Sequence, residues 1–176
     1  ETPASQIEFQ CRLDSQAEAG FGACPSPQTY TGLGQGSHSF AVRAVDLAGN
    51  PDPTPATYTW TVDSVAPQTT VDSGPTGMTN DSTPTFSFSG EARASFQCRV
   101  GAAAFAACSS PHTTGALADG AHTFEVRATD AAGNTDGSPA SHTWTIDLTD
   151  PQTTITASPP DPDNDADPSF SFTSSE

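Results

Sequence analysis

The sequence predicts an all-β chain built from tandem β-sandwich modules. Three observations carry that prediction. Short apolar alternations recur between Gly, Pro, Ser, Thr, Asn and Asp turn residues, and no long stretch has helical periodicity. Long blocks of residues recur in the same order further along the chain. Cysteines come in one close pair per repeat, Cys11 with Cys24 and Cys98 with Cys108.

The repeat sets the module boundaries. Phe9-Gln10-Cys11-Arg12 returns as Phe96-Gln97-Cys98-Arg99. The strand-like run His38 to Ala44 returns as His122 to Ala128. Asp46, Ala48, Gly49 and Asn50 return as Asp130, Ala132, Gly133 and Asn134. Trp60, Thr61 and Asp63 return as Trp144, Thr145 and Asp147, and Pro67-Gln68-Thr69-Thr70 returns unchanged at 151–154. From Cys24 onward the offset is a constant 84, and at Cys11 it is 87 because the first repeat has three more residues between its cysteines.

Residues 67–150 then read as one complete module. Residues 1–66 read as a module lacking its first two strands, and 151–176 as the first two strands of a following or neighbouring module. Two arrangements make sense of this order. The sequence is a window on a continuous repeat polypeptide, or its C-terminal strands complete the open first module of another copy by strand donation. Both predict copies arranged end to end in a filament. Left uncovered, the first module would present an apolar face and bare sheet edges.

Within the complete module the strands follow from period-two patterns. Strand A is expected near Thr69–Val71, and strand B at Thr85–Ser89 with Phe86 and Phe88 on one face. Strand C is expected at Ser95–Val100, with Phe96, Cys98 and Val100 together, and a return strand at Phe105–Cys108 makes a hairpin. Strand F spans His122–Thr129, with Phe124, Val126 and Ala128 inward, and Ala131 to Asn134 forms the following turn. Strand G spans Ser141–Ile146, with His142, Trp144 and Ile146 sharing a face. Thr153–Ile155 and Ser169–Phe172 are expected to repeat strands A and B. The joints Asp63 to Pro67 and Asp147 to Pro151 are short, which suits a semi-rigid rod.

These motifs resemble a known module. F-Q-C-R, a second Cys, L-x-x-G-x-H-x-F-x-V-R-A-x-D-x-A-G-N and then T-W-T-[VI]-D are similar to the bacterial Ig-like, fibronectin type III-like repeats of large secreted surface proteins. The resemblance covers essentially the whole chain and implies immunoglobulin/fibronectin III-like sandwiches. Leu117 through Asn134 resembles the corner and turn around strand F, with His38 and His122 standing where that fold usually has a corner tyrosine. Such modules serve in adhesins, sheaths and enzyme spacers, so the likeness implies architecture rather than one activity.

Composition excludes several functions. The formal charge is −16 and all five cations are arginine. Such a surface repels nucleic acid and anionic membranes, and no apolar run is long enough to span a bilayer. The absence of lysine rules out Lys–Asn isopeptide bonds. The C-x12-C and C-x9-C spacings lack the short paired ligands of a zinc site. They read as two local disulfides, Cys11–Cys24 and Cys98–Cys108, or else as buried free thiols. Disulfides would place the protein in an oxidising, extracellular or cell-surface setting.

Candidate sites are few, and none is catalytic. Asp161, Asp163, Asp165 and Asp167 alternate in a proline-bracketed loop that can wrap a hard cation such as calcium, or stand simply as a solvated acidic loop. Asp46, Asp52 and Asp63, with their counterparts Asp130, Asp136 and Asp147, are a second calcium candidate at the module ends, against ordinary turn capping. Calcium is the only cofactor the sequence suggests, and none is required. Asn80-Asp81-Ser82 is an N-glycosylation sequon. The four histidines have no spacing suited to a nucleophile relay. Arg43 and Arg127 are expected on the outer face of strand F, each beside a carboxylate.

The expectation is a non-enzymatic structural element of an extracellular filament, stalk or adhesin, whose partners are copies of itself. The alternatives are a carbohydrate- or surface-binding module and a spacer domain of a secreted enzyme.

Overall fold

Alternating runs become strands along the whole sequence. A computed structural model of the chain describes residues 7–162, 164 and 166–175. Among these the one helical element is a three-residue 3-10 turn, Glu18–Gly20. It falls where the first repeat carries its three extra residues. The described residues form two compact units. One runs to Ala66 and includes Ala132–Asn134, and the other comprises Pro67–Ala131 and the residues from Thr135 onward.

The first unit holds β1 (Glu8–Leu13), β2 (Gly22–Ala23), β3 (Gly36–Val45) and β4 (Ala56–Val62) in one antiparallel sheet of order β2-β1-β3-β4. The Cys11–Cys24 disulfide joins β1 to the end of the β2 hairpin, with Cα atoms 5.7 Å apart.

The second unit is a full sandwich. Its strands are β5 (Thr69–Ser73), β6 (Met78–Thr79), β7 (Thr85–Gly90), β8 (Ser95–Val100), β9 (Ala106–Cys108), β10 (His112–Thr113), β11 (Gly120–Thr129) and β12 (Ala140–Ile146). A five-stranded sheet, β6-β12-β11-β8-β9, repeats the layout of the first unit, and a three-stranded sheet, β10-β7-β5, covers it. The inward residues of the two sheets make the core. Phe86 stacks on Phe124 with ring centroids 4.2 Å apart and lies 5.0 Å from Trp144, while Phe88 meets Phe96 at 5.2 Å. Phe86, Phe124, Val126 and Ala128 are fully buried. Burial of such aromatic area is the main favourable term for a module of this size. The Cys98–Cys108 disulfide staples the β8–β9 hairpin.

Beyond the sandwich, β13 (Thr153–Ala157) and β14 (Ser171–Ser174) form a two-stranded antiparallel sheet. Every pair in it is the counterpart, 84 residues on, of a pair in β5–β7. Thr153 faces Ser174 as Thr69 faces Gly90, Ile155 faces Phe172 as Val71 faces Phe88, and Ala157 faces Ser171 as Ser73 faces Ser87, with the same register shift.

Besides shifts of one or two residues at strand ends, several details differ from expectation. The two-residue strands β6 and β10 carry no periodicity and exist only through their partners, β12 and β7. The last strand begins at Ser171 rather than Ser169. In β7, Thr85 and Phe86 are held by Thr113 and His112 of β10, and among the described residues their counterparts Ser169 and Phe170 have no such partner strand. Arg127, expected beside a carboxylate, instead donates to Gln97 Oε1 from Nε at 3.0 Å and from Nη2 at 2.8 Å. Arg43 makes the equivalent bonds to Gln10 and also pairs with Glu18.

Candidate functional site

Among the described residues, the first unit presents the inner face of its sheet without a covering layer. Phe40, Val42 and Ala44 are only half-buried, whereas their counterparts Phe124, Val126 and Ala128 are inaccessible. Phe9, Phe40, Val42, Pro25 and the Cys11–Cys24 disulfide line one hollow on this unit. Tyr30, Leu33, Phe40, Tyr58 and Trp60 line another. In it Tyr30 meets Phe40 at 6.1 Å and Tyr58 stacks beside Trp60 at 6.2 Å, with Tyr58 68% exposed. Among the described residues, Gln28 and Thr29, the counterparts of strand β10, have no strand pairing. That absence has a local cause, since β10 is formed by hydrogen bonding to β7 and the sheet order of the first unit contains no such strand.

The β13–β14 hairpin exposes its apolar side chains. Its paired backbone is complete, yet Ile155, Phe170 and Phe172 are 64%, 57% and 71% exposed. In the sandwich the corresponding Phe86 and Phe88 are buried, and Val71 packs against the core. An open sheet face and an exposed hairpin of matching type thus occur in one chain.

Polar groups hold the frame of the open unit. His38 Nε2–H donates to the Gly34 carbonyl at 2.7 Å, and His122 Nε2–H donates to the Ala118 carbonyl at 2.8 Å. Imidazole therefore makes the corner tether that a tyrosine hydroxyl would otherwise provide. His38 Nδ1 also lies 2.7 Å from Asp14 Oδ2. Donation by both ring nitrogens requires the imidazolium. The Gly34 carbonyl first, and then the Asp14 carboxylate, raise the His38 pKa. Asp14 is itself lowered by His38 and by the Ser39 N–H. Asp14 has φ +53° and occupies the position of Gly101, φ +59°, a left-handed conformation that Asp tolerates better than most residues.

Phe21 lies between two guanidiniums, Arg12 at 4.5 Å and Arg43 at 4.1 Å, and Phe105 lies likewise between Arg99 at 4.4 Å and Arg127 at 4.2 Å. Arg99 also bonds Glu125 Oε2 at 2.6 Å. These outer clasps were not read from the sequence. The recurring F-x-x-C spacing, Phe21 with Cys24 and Phe105 with Cys108, was the available signal.

Asp163 and Asp165 lie outside the described residues, and among the described residues no group of three His, Cys, Asp or Glu side chains could hold a metal ion. Asp46 instead accepts from Ala48 N, Asn50 N and Asn50 Nδ2 within its own turn, which lowers its pKa. Asp63 accepts from Gln35 and Val65 N, and Asp147 from Thr149 N. Asn80 is exposed in the loop after β6.

A family model described as "Bacterial Ig-like domain" matches residues 59–149, more than half of the chain. The chain belongs to the bacterial Ig-like domain family. No curated protein matches. Among solved structures, the Ig-like chain is similar to one described as "Crystal structure of tetra-tandem repeat in extending region of large adhesion protein". The identity is 18%, the TM-score 0.38, and the match covers 97% of this chain and 49% of the other. The Ig-like chain thus spans about half the length of that structure.

Proposed function

We propose that the chain is a repeating structural element of an extracellular filament, stalk or adhesin. In this reading the β13–β14 hairpin of one copy covers the open sheet of another. The observation that carries the proposal is the shared register. The hairpin has the pairing of β5–β7, with its aromatic side chains exposed, and among the described residues the first unit has no such layer.

Seating the hairpin would bring Phe170 and Phe172 onto Phe40, Val42 and Trp60, as Phe86 and Phe88 sit on Phe124, Val126 and Trp144. It would let Gln28 and Thr29 pair with Phe170 and Ser169, as His112 and Thr113 pair with Phe86 and Thr85. The role is mechanical. Each completed sandwich adds a stable unit, and each junction adds a neighbour term. Disulfides and an acidic, lysine-free surface suit an oxidising exterior.

Sedimentation of the purified chain tests this. The expected result is a concentration-dependent series in multiples of 18.0 kDa, abolished by Phe170→Ser with Phe172→Ser. A monomer at every concentration would refute it. Mass under denaturing conditions of material from the native source separates the two origins of the hairpin. A discrete species near the sequence mass indicates donation between chains, and a very large species indicates a continuous repeat polypeptide.

The exposed Tyr58 ring beside Trp60 favours a second reading, a carbohydrate-stacking platform. A glycan array at fixed salt discriminates. Binding lost in Tyr58→Ala but unchanged by the Phe170/Phe172 substitutions would support that reading instead.

A further inference from the structure

In the complete sandwich one buried carboxylate ties the first strand to the chain that follows strand β11. Asp136 is 2% exposed. Its Oδ1 accepts from Ser138 N at 2.8 Å and Ser138 Oγ at 3.0 Å, and its Oδ2 accepts from the Thr69 hydroxyl at 2.8 Å. The same hydroxyl accepts the Ala128 N–H at 3.0 Å, and Asp136 N–H donates to the Ala128 carbonyl at 2.9 Å. Thr69 is thereby held by a donor on the sheet and an acceptor in the loop, a geometry that permits one axial position of β5. Burial opposes ionisation of Asp136, yet the bonds from Ser138 and Thr69 together hold its carboxyl below the usual range.

The open unit contains this device with one member missing. Asp52 stands at the place of Asp136, and its N–H donates to the Ala44 carbonyl at 2.9 Å. Its Oδ1 accepts from Thr54 N at 2.8 Å and Thr54 Oγ1 at 2.9 Å, as Asp136 does from Ser138. Among the described residues nothing donates to Asp52 Oδ2. The counterpart of Thr69 is Thr153, the first residue of β13, which faces Ser174 as Thr69 faces Gly90.

We infer that Asp52 is the register-setting acceptor of the open sheet, receiving the Thr153 hydroxyl of the hairpin of a second copy while that hydroxyl accepts the Ala44 N–H. The inference rests on the reading that the hairpin seats on this sheet, and it adds what that reading leaves open. Aromatic packing alone tolerates sliding by two residues along a strand, because the same face is kept. A single buried hydroxyl between one donor and one acceptor does not. An A–B hairpin lacking Thr or Ser at this position is therefore discriminated against, because it leaves a carboxylate and an amide unpaired.

The test is self-association of the full chain by analytical ultracentrifugation. Thr153→Val keeps the branched shape and removes the hydroxyl. Asp52→Asn keeps an oxygen for Thr54 and replaces the free acceptor by a donor. Each is expected to weaken association by about tenfold or more, the double variant by no more than about threefold beyond either single, and Thr153→Ser by less than about threefold. Thr153 lies in a hairpin that has no packed core of its own, so Thr153→Val remains informative even if Asp52→Asn unfolds the first unit.

Unchanged association in Thr153→Val, or fully additive losses in the double variant of a folded chain, would overturn the inference. Phe170→Ser with Phe172→Ser separates the two levels. If that pair abolishes association while Thr153→Val does nothing, only the register claim fails. If the pair leaves association intact, or the unaltered chain does not associate, the hairpin reading fails and the register claim with it.

Discussion

Two phenylalanines at equivalent positions, Phe86 and Phe170, should respond to the same substitution in opposite ways. Phe86 is fully buried and touches Phe124, Trp144 and His142. Truncation there loses the transfer free energy of the ring and leaves a cavity, so Phe86→Ala should destabilise the second unit by about 3–5 kcal/mol. Phe170 is 57% exposed. In the free chain Phe170→Ala should change stability by less than about 0.5 kcal/mol. In the assembly the order reverses. An aromatic side chain of about 200 Å² that is 57% exposed has roughly 115 Å² left to bury, worth about 3 kcal/mol. Allowing for the methyl group that alanine retains, Phe170→Ala should weaken association by roughly 30- to 100-fold. Urea unfolding at a dilution where the chain is monomeric reads the first quantity, and sedimentation equilibrium reads the second. The reasoning is refuted if Phe170→Ala destabilises the monomer as strongly as Phe86→Ala, or if it leaves association unchanged.

Other consequences are accessible to simple measurements. Replacing Cys98 and Cys108 together by alanine opens a short loop and should cost the second unit about 2.5–3 kcal/mol in urea unfolding, leaving the first unit's transition in place. His38 gains its partners on folding, so its contribution is full below about pH 6.5 and is lost as pH rises through its raised folded value, whereas Asp14 contributes above about pH 4 and less on acidification. Melting of the first unit should therefore peak between those limits, and Asp14→Asn should lower the His38 midpoint in an NMR titration. Trp60 is half-buried and Trp144 is 3% exposed. In a Trp144→Phe chain, concentration should shift the remaining Trp60 emission to the blue, while the reciprocal Trp60→Phe chain should show no shift.

Much of the fold was legible because its strands are long enough to show alternation. Phe124, Val126 and Ala128 in β11, and Trp144 and Ile146 in β12, announce their faces by period two alone. The kinship of the last two strands to β5 and β7 was legible from the order of the repeats, since Thr153 and Phe172 match Thr69 and Phe88 by offset. Two-residue strands were not legible. His112–Thr113 carries no pattern, and whether it is a strand depends on whether β7 lies beside it. The aspartates show the same limit from the side of chemistry. Asp52 and Asp136 read as cation ligands or turn residues, because sequence spacing does not reveal that Asp136 turns inward to hold Thr69 at 2.8 Å. The histidine corners were visible as positions, but the substitution of an imidazole N–H for a phenol O–H is a matter of reach that depends on the folded geometry.

Amide hydrogen exchange of the chain, followed by mass spectrometry at low and high concentration, tests the central claim most directly. If the hairpin of one copy completes the sheet of another, amides at Gln28–Tyr30 and at Phe170–Phe172 should gain protection together as concentration rises, while β11 and β12 stay unchanged. Equal exchange of both segments at every concentration, or protection confined to surfaces away from them, would contradict it.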